Sequence, residues 1–136
     1  MAEEKIAVVV DDEPMPRRLV GEFLKMYGFK VHEAESGEKA KELIQTHDPR
    51  LVVTDFYMPE MTGAQLVTHL RESGNHHVKV LGISGMAGER DDPKSMKAFV
   101  EQHNAKFTQA PPMHFLEKPF SLNKFNAKLH EMGFHD

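Results

Sequence analysis

Cysteine is absent from the 136-residue chain. Disulfides and thiolate metal sites are therefore excluded, in keeping with a cytosolic protein. An excess of positive charge is missing too: 17 basic residues stand against 21 acidic ones, for a formal net charge of −4. Nothing in that balance offers the electrostatic footprint that direct nucleic-acid binding needs. Long apolar runs are lacking as well. The chain opens with Glu3, Glu4 and Lys5, and its first apolar run stops at Val10, too short and too acidic in its approach for a signal peptide or a membrane span. The expectation is a cytoplasmic protein that touches neither nucleic acid nor membrane directly.

What is present suits one ordinary globular domain over 1–136, with 40% hydrophobic and 28% charged residues. Ile6 to Val10 is a continuous, β-branched run that ends in acidic residues, the pattern of a central parallel strand buried on both faces. Leu51 to Val53 and Val78 to Ile83 read the same way. Lys30 to Ala34 is interleaved with charge and suits an edge strand, and Phe115-Leu116 makes a short fifth strand. Between the strands lie apolar stripes of helical period: Leu19, Val20, Phe23, Leu24 and Tyr27; Leu43 and Ile44; Leu66, Val67 and Leu70; Met96, Phe99, Val100 and His103; Leu122, Phe125, Leu129 and Met132. Five strands alternating with five helices predict a parallel sheet covered on both faces.

In such sheets the ligand site lies at the carboxyl ends of the strands. Asp11, Asp12 and Glu13 follow the first strand, Asp55 the third, Ser84 the fourth, and Lys118-Pro119 the fifth. Clustered carboxylates repel one another, and a hard divalent cation such as Mg²⁺ or Mn²⁺ relieves that repulsion with oxygen ligands while keeping waters that a phosphate can replace. Ser84 and Lys118 would complete a phosphate cradle. Each residue alone has a plainer reading as a helix cap or turn residue; their joint placement at successive strand ends does not.

The segments Val8-Val9-Val10-Asp11-Asp12-Glu13, Val53-Thr54-Asp55-Phe56-Tyr57-Met58-Pro59-Glu60-Met61-Thr62-Gly63, Ile83-Ser84-Gly85 and Phe115-Leu116-Glu117-Lys118-Pro119-Phe120 resemble, in order, the motifs of the response-regulator receiver domains of two-component signalling. The resemblance implies a flavodoxin-like (βα)5 fold with strand order 2-1-3-4-5 and phosphorylation of Asp55 by a sensor histidine kinase, a phosphotransfer protein or a small acyl phosphate. Asp11, Asp12, Asp55 and the backbone carbonyl of Tyr57 would hold Mg²⁺. Ser84 and Lys118 would contact the phosphoryl group, and the Lys118-Pro119 bond would be cis. Movement of Ser84 and Phe115 would switch a face that binds a downstream partner or effector domain; the plainer reading of Phe115 is a static core aromatic. Such a domain catalyses only its own phosphoryl transfer and slow autodephosphorylation.

Tyr57 and Met86 occupy positions that border the path of hydrolytic water in the family, and both are large here. A second departure is the interval of 33 residues between Ser84 and Lys118, where one helix and two short loops need only roughly 20 to 25. A fourth helix is expected from near Pro93 to near Asn104, capped by Asp92 and flanked by extended loops that adjust partner choice. Nine histidines invite a metal reading, but adjacent His76-His77 suit solvated loop positions better than ligand pairs. Two rival functions remain in view: a haloacid-dehalogenase-like phosphatase with Asp11 as nucleophile, and a receiver-shaped binding module that is never phosphorylated.

Overall fold

The computed structural model describes residues 4–58, 60–84 and 93–135, with the backbone alone for 93–95. Its elements run β1 (Ile6–Val10), α1 (Pro14–Met26), β2 (Lys30–Ala34), α2 (Gly37–His47), β3 (Leu51–Asp55), α3 (Gly63–Glu72), β4 (Lys79–Ser84), α4 (Pro93–Lys106), β5 (His114–Glu117) and α5 (Leu122–Glu131). All strand pairs are parallel, in the order β2-β1-β3-β4-β5. This is the flavodoxin-like arrangement, with the charge-interleaved β2 at an edge.

Alternation along the strands divides the core in two, since successive side chains point to opposite faces. Val8, Val10, Val52 and Val80 pack beneath α2, α3 and α4 with Ile44, Leu66, Val67 and Met96. Ala7, Val9, Leu51, Val53, Leu81 and Ile83 pack beneath α1 and α5 with Val20, Leu24, Phe125 and Leu129. The apolar runs of β1, β3 and β4 thus serve both layers at once.

Three details differ from the sequence reading. Leu19 does not join the buried stripe of α1 but is 52% exposed. Val20 and Leu24 carry the buried line, and Leu19 lies about 100° around the helix from Val20. α4 extends to Lys106, two residues past Asn104. The connection that follows is no slack loop: Asn104 donates from Nδ2 to the Met113 carbonyl (3.1 Å) and accepts at Oδ1 from the Met113 N–H (2.8 Å), and a turn closes from the Ala110 N–H to the Phe107 carbonyl (3.1 Å). The expected Asp92 cap and the loop before α4 lie outside the described residues.

His103 of α4 is 4% exposed, and both ring nitrogens lack a hydrogen-bond partner among the described residues. Burial pushes its pKa down from 6.5 to about 4, with the positive charges of Arg71 and Lys106 acting in the same direction. The folded protein therefore holds the ring neutral, and its contribution to stability is complete above pH 6.5 and lost as the pH falls toward 4. The whole span amounts to at most roughly 3 kcal/mol. His103→Leu is expected to flatten the acid limb of the stability curve over that window. Urea titrations at pH 7, 5.5 and 4.5 check this, and an unaltered slope would remove His103 as its source.

Candidate functional site

The site lies where the strand order reverses, between β1 and β3. Asp11 follows β1 with its N–H donating to the Ala34 carbonyl (3.1 Å), and its Oδ1 accepts the Glu13 N–H (2.9 Å). Arg17 of α1 donates from Nη1 to the Asp11 carbonyl (2.9 Å) and from Nε to Glu33 Oε1 (3.0 Å), which ties α1 to the ends of β1 and β2. The sequence reading missed Arg17; its place on the first turns of the helix after the acidic pair is the signal that could have found it.

Asp55 closes β3 at 8% exposure, and its Oδ1 accepts the Tyr57 N–H at 3.4 Å. The Phe56 N–H donates to the Ile83 carbonyl (2.8 Å), and the Gly63 N–H returns to the Phe56 carbonyl (2.8 Å). A Cβ on Gly63 would collide with the Asp55 carbonyl oxygen and press on the Phe56 Cα, so glycine is required by close backbone approach. α3 then starts from a capping box in which Thr62 Oγ1 accepts the Gln65 N–H (3.1 Å) and Gln65 Oε1 accepts the Thr62 N–H (2.9 Å). The Asp and the Gly of the Asp-x-x-Met-Pro-x-Met-x-Gly stretch are thus accounted for by the turn that delivers Asp55.

One carboxylate oxygen from each of Asp11, Asp12 and Asp55 lies within 4.8 Å of the others. Burial raises the pKa of Asp11; the negative charges of Asp12 and Glu13 push the same way, against the Glu13 N–H and Lys118. Lys118 Nζ stands 3.9 Å from Asp11 Oδ2, an ion pair too long to be a hydrogen bond. Its backbone N–H donates to the Ser84 carbonyl (2.9 Å), and the Lys118-Pro119 peptide is cis. Ser84 is fully buried, and its hydroxyl has no partner among the described residues. A crowded, partly buried set of hard oxygen donors fits a small divalent cation, and an orphaned buried hydroxyl fits an incoming oxyanion.

The structure therefore brings together Asp11, Asp12, Asp55 and Lys118, with Ser84 tied to Lys118 through the backbone. Tyr57 is partly buried, its ring edge-on to Phe56 at 5.0 Å. Phe115 packs partly buried against the α2–α4 side of the core. Met86 lies outside the described residues. His76 and His77 are exposed between α3 and β4, and His77 Nε2 meets Asp48 Oδ1 at 2.6 Å.

The chain matches the response regulator receiver domain family over residues 7–130, and it belongs to that family. It is 36% identical over 78 residues to the transcriptional regulatory protein SrrA of Staphylococcus aureus, a match covering 57% of this chain and 32% of the relative. The match thus spans about a third of that relative's length. The fold is similar to that of a response regulator receiver protein from Pseudomonas putida, with a TM-score of 0.78 at 23% identity over 96% of this chain and 99% of the other. It is also similar to the chemotaxis protein CheY4 of Vibrio cholerae, with a TM-score of 0.75 at 21% identity over the same shares. Receiver domains are signalling modules of two-component systems rather than enzymes in the ordinary sense, and they hold Mg²⁺ with acidic residues of the kind clustered here. Among the described residues no helix is long and apolar enough to cross a membrane.

Since burial and like charge together disfavour ionised Asp11, Asp11→Asn is expected to raise stability in metal-free buffer at pH 7. The amide oxygen can still accept the Glu13 N–H. Denaturant unfolding in the presence of a chelator is the measurement, and a fall in midpoint would show that the Lys118 contact outweighs the repulsion.

Proposed function

We propose that residues 1–136 act as one receiver domain whose phosphoacceptor is Asp55. The observation that carries this reading is the meeting of Asp11, Asp12 and Asp55 oxygens within 4.8 Å. An Asp55 oxygen attacks phosphorus and forms a new O–P bond while the P–N bond of a phosphohistidine, or the P–O bond of an acyl phosphate, breaks. Asp11, Asp12, Asp55 and the Tyr57 carbonyl would hold Mg²⁺, which when bound offsets charge on the equatorial oxygens. The Tyr57 N–H orients the attacking carboxylate from Oδ1. Lys118, only loosely engaged with Asp11, swings to the phosphoryl group.

Ser84 supports the switch. A buried hydroxyl without a partner is costly and that of Ser84 has none among the described residues, so a phosphoryl oxygen that accepts its hydrogen bond favours movement of the β4 end toward Asp55. Phe115 then turns inward, and the face of α4, β5 and α5 changes for its partner. Tyr57, with Met86, slows the entry of hydrolytic water. Response regulators pair with histidine kinases and effector domains; by analogy with SrrA, a transcriptional regulatory protein, any contact with nucleic acid would be made by an effector domain and not by this surface.

Incubation with acetyl phosphate and Mg²⁺ is expected to add one phosphoryl group to the wild type and none to Asp55→Asn, with both proteins equally folded by circular dichroism. Equal labelling of the mutant removes Asp55 from the role; no labelling of the wild type leaves a receiver-shaped binding module. In Asp12→Ala, Mg²⁺ affinity measured by calorimetry is expected to fall roughly tenfold, through loss of a charged oxygen ligand. Equal affinity would take Asp12 out of the ligand set.

A further inference from the structure

The acidic loop after β1 is held partly by its own backbone and partly by a side chain from α1. The Asp11 N–H donates to the Ala34 carbonyl and Asp11 Oδ1 accepts from the Glu13 N–H, bonds that set the start of the loop and the Asp11 carboxylate. The bond from Arg17 Nη1 to the Asp11 carbonyl, at 2.9 Å, bears on Asp12. That carbonyl belongs to the rigid peptide plane that joins Asp11 to Asp12, and Asp12 is exposed and makes no hydrogen bond of its own among the described residues. The start of α1 offers little other hold. Its N-cap, Glu13, makes no side-chain cap bond, Pro14 and Pro16 have no N–H to give, and the Arg17 N–H reaches the Glu13 carbonyl only at 3.3 Å, longer than usual. Arg17 Nε meets Glu33 Oε1 of β2 at 3.0 Å. One fork, 16% exposed, therefore grips the loop and the edge strand together, with the Glu33 carboxylate offsetting its charge.

We propose that Arg17 is a positioning residue for Mg²⁺: through the Asp11–Asp12 peptide it sets how two of the three clustered carboxylates face each other, and it does so as a two-point fork rather than as a charge. The inference rests on the reading of this cluster as the Mg²⁺ site. Charge and position have opposite signs here, which separates them. A guanidinium near a cation site opposes the ion, so loss of its charge alone tightens Mg²⁺ binding. Pairing with Glu33 and screening by solvent keep that gain small. Loss of a bond that orients metal ligands weakens binding by roughly ten- to a hundredfold. Position therefore outweighs charge. Lysine cannot substitute, because one ammonium nitrogen would stand in for two donors set apart on a planar fork.

Calorimetric titration of Mg²⁺ into the wild type, Arg17→Met and Arg17→Lys tests this, with urea unfolding run beside it to establish that each variant is folded. Both variants are expected to bind Mg²⁺ about tenfold more weakly, and the Mg²⁺ concentration that half-saturates labelling of Asp55 by acetyl phosphate is expected to rise by the same factor. Arg18→Met, which removes the same charge from the next and exposed position, is expected to bind at least as tightly as the wild type. Equal or tighter binding by Arg17→Met overturns the inference. Wild-type affinity in Arg17→Lys overturns it as well, since charge then suffices, and so does a comparable loss in Arg18→Met, since the effect then follows net charge. Should Arg17→Met not fold, Arg17→Lys decides by the same two readings. If the wild type binds Mg²⁺ and labels on Asp55 while the Arg17 variants match it, the inference falls and the reading of the site stands. A wild type that binds no Mg²⁺ removes both.

Discussion

Three carboxylate oxygens held within 4.8 Å of one another repel, and the burial of Asp11 and Asp55, though not of the exposed Asp12, reduces the water that would screen the repulsion. Left to relax, the side chains would turn outward. The fold prevents this by anchoring backbone rather than by neutralising charge. Asp11 is gripped through its N–H, its carbonyl and one carboxylate oxygen by Ala34, Arg17 and Glu13. Asp55 is fixed by the passage of the chain from Ile83 through Phe56 to Gly63. Among the described residues the nearby ammonium, that of Lys118, stays at 3.9 Å from Asp11 Oδ2. A site built this way keeps its carboxylate oxygens close together against their mutual repulsion.

The same constraint divides the molecule mechanically. Around the carboxylates, position is set by backbone hydrogen bonds and by the close approach of Gly63 to the Asp55 carbonyl, features with little tolerance for displacement. α4 is seated differently. It lies over Gly82 of β4, where a Cβ would strike the terminal methyls of Met96 and Met113, and Phe99 lies against Phe56 with ring centroids 5.7 Å apart. Methionine side chains repack at small cost. Over the sheet the helix is held by soft contacts, while near its end Asn104 clamps it to Met113.

Much of this was legible in the sequence. The β-branched runs gave three central strands, charge within Lys30 to Ala34 gave the edge, and polar residues after four strands gave the location of the site, because a parallel sheet buries both faces and leaves its ends for chemistry. Contacts that depend on rotation about a helix axis were less legible. Leu19 belongs by type to the buried stripe but by angle to the exposed side of α1. Arg71 belongs by type to a solvated face, yet it is 1% exposed. It follows Val67 by four residues and so shares the apolar stripe of α3, and its Nη1 reaches the Asn75 carbonyl (3.1 Å). The Asn104 clamp was hidden for another reason: a side chain that replaces backbone hydrogen bonds across a loop leaves no periodic trace.

How a change at Asp55 could reach α4 follows from adjacency. Phe56 is the next residue in the chain. Its ring meets Tyr57 at 5.0 Å and Phe99 at 5.7 Å, Phe99 meets His103 at 5.6 Å, and His103 meets Phe107 at 4.9 Å. This column runs from the neighbour of Asp55 to just past the end of α4, through Phe56 and His103, which are buried, and Phe99 and Phe107, which are partly buried. Close-packed rings cannot absorb a displacement gradually, since a gap of less than an ångström forfeits much of the contact energy. Movement of Phe56 therefore has two outcomes, no change or a repacking that carries α4 with it. His103 makes the second less costly than a fully hydrogen-bonded polar residue would, because its ring nitrogens have no bonds among the described residues to break. Contiguity of this kind is a material route for such a coupling and not evidence that one operates, and along it the methionine contacts are the softest step.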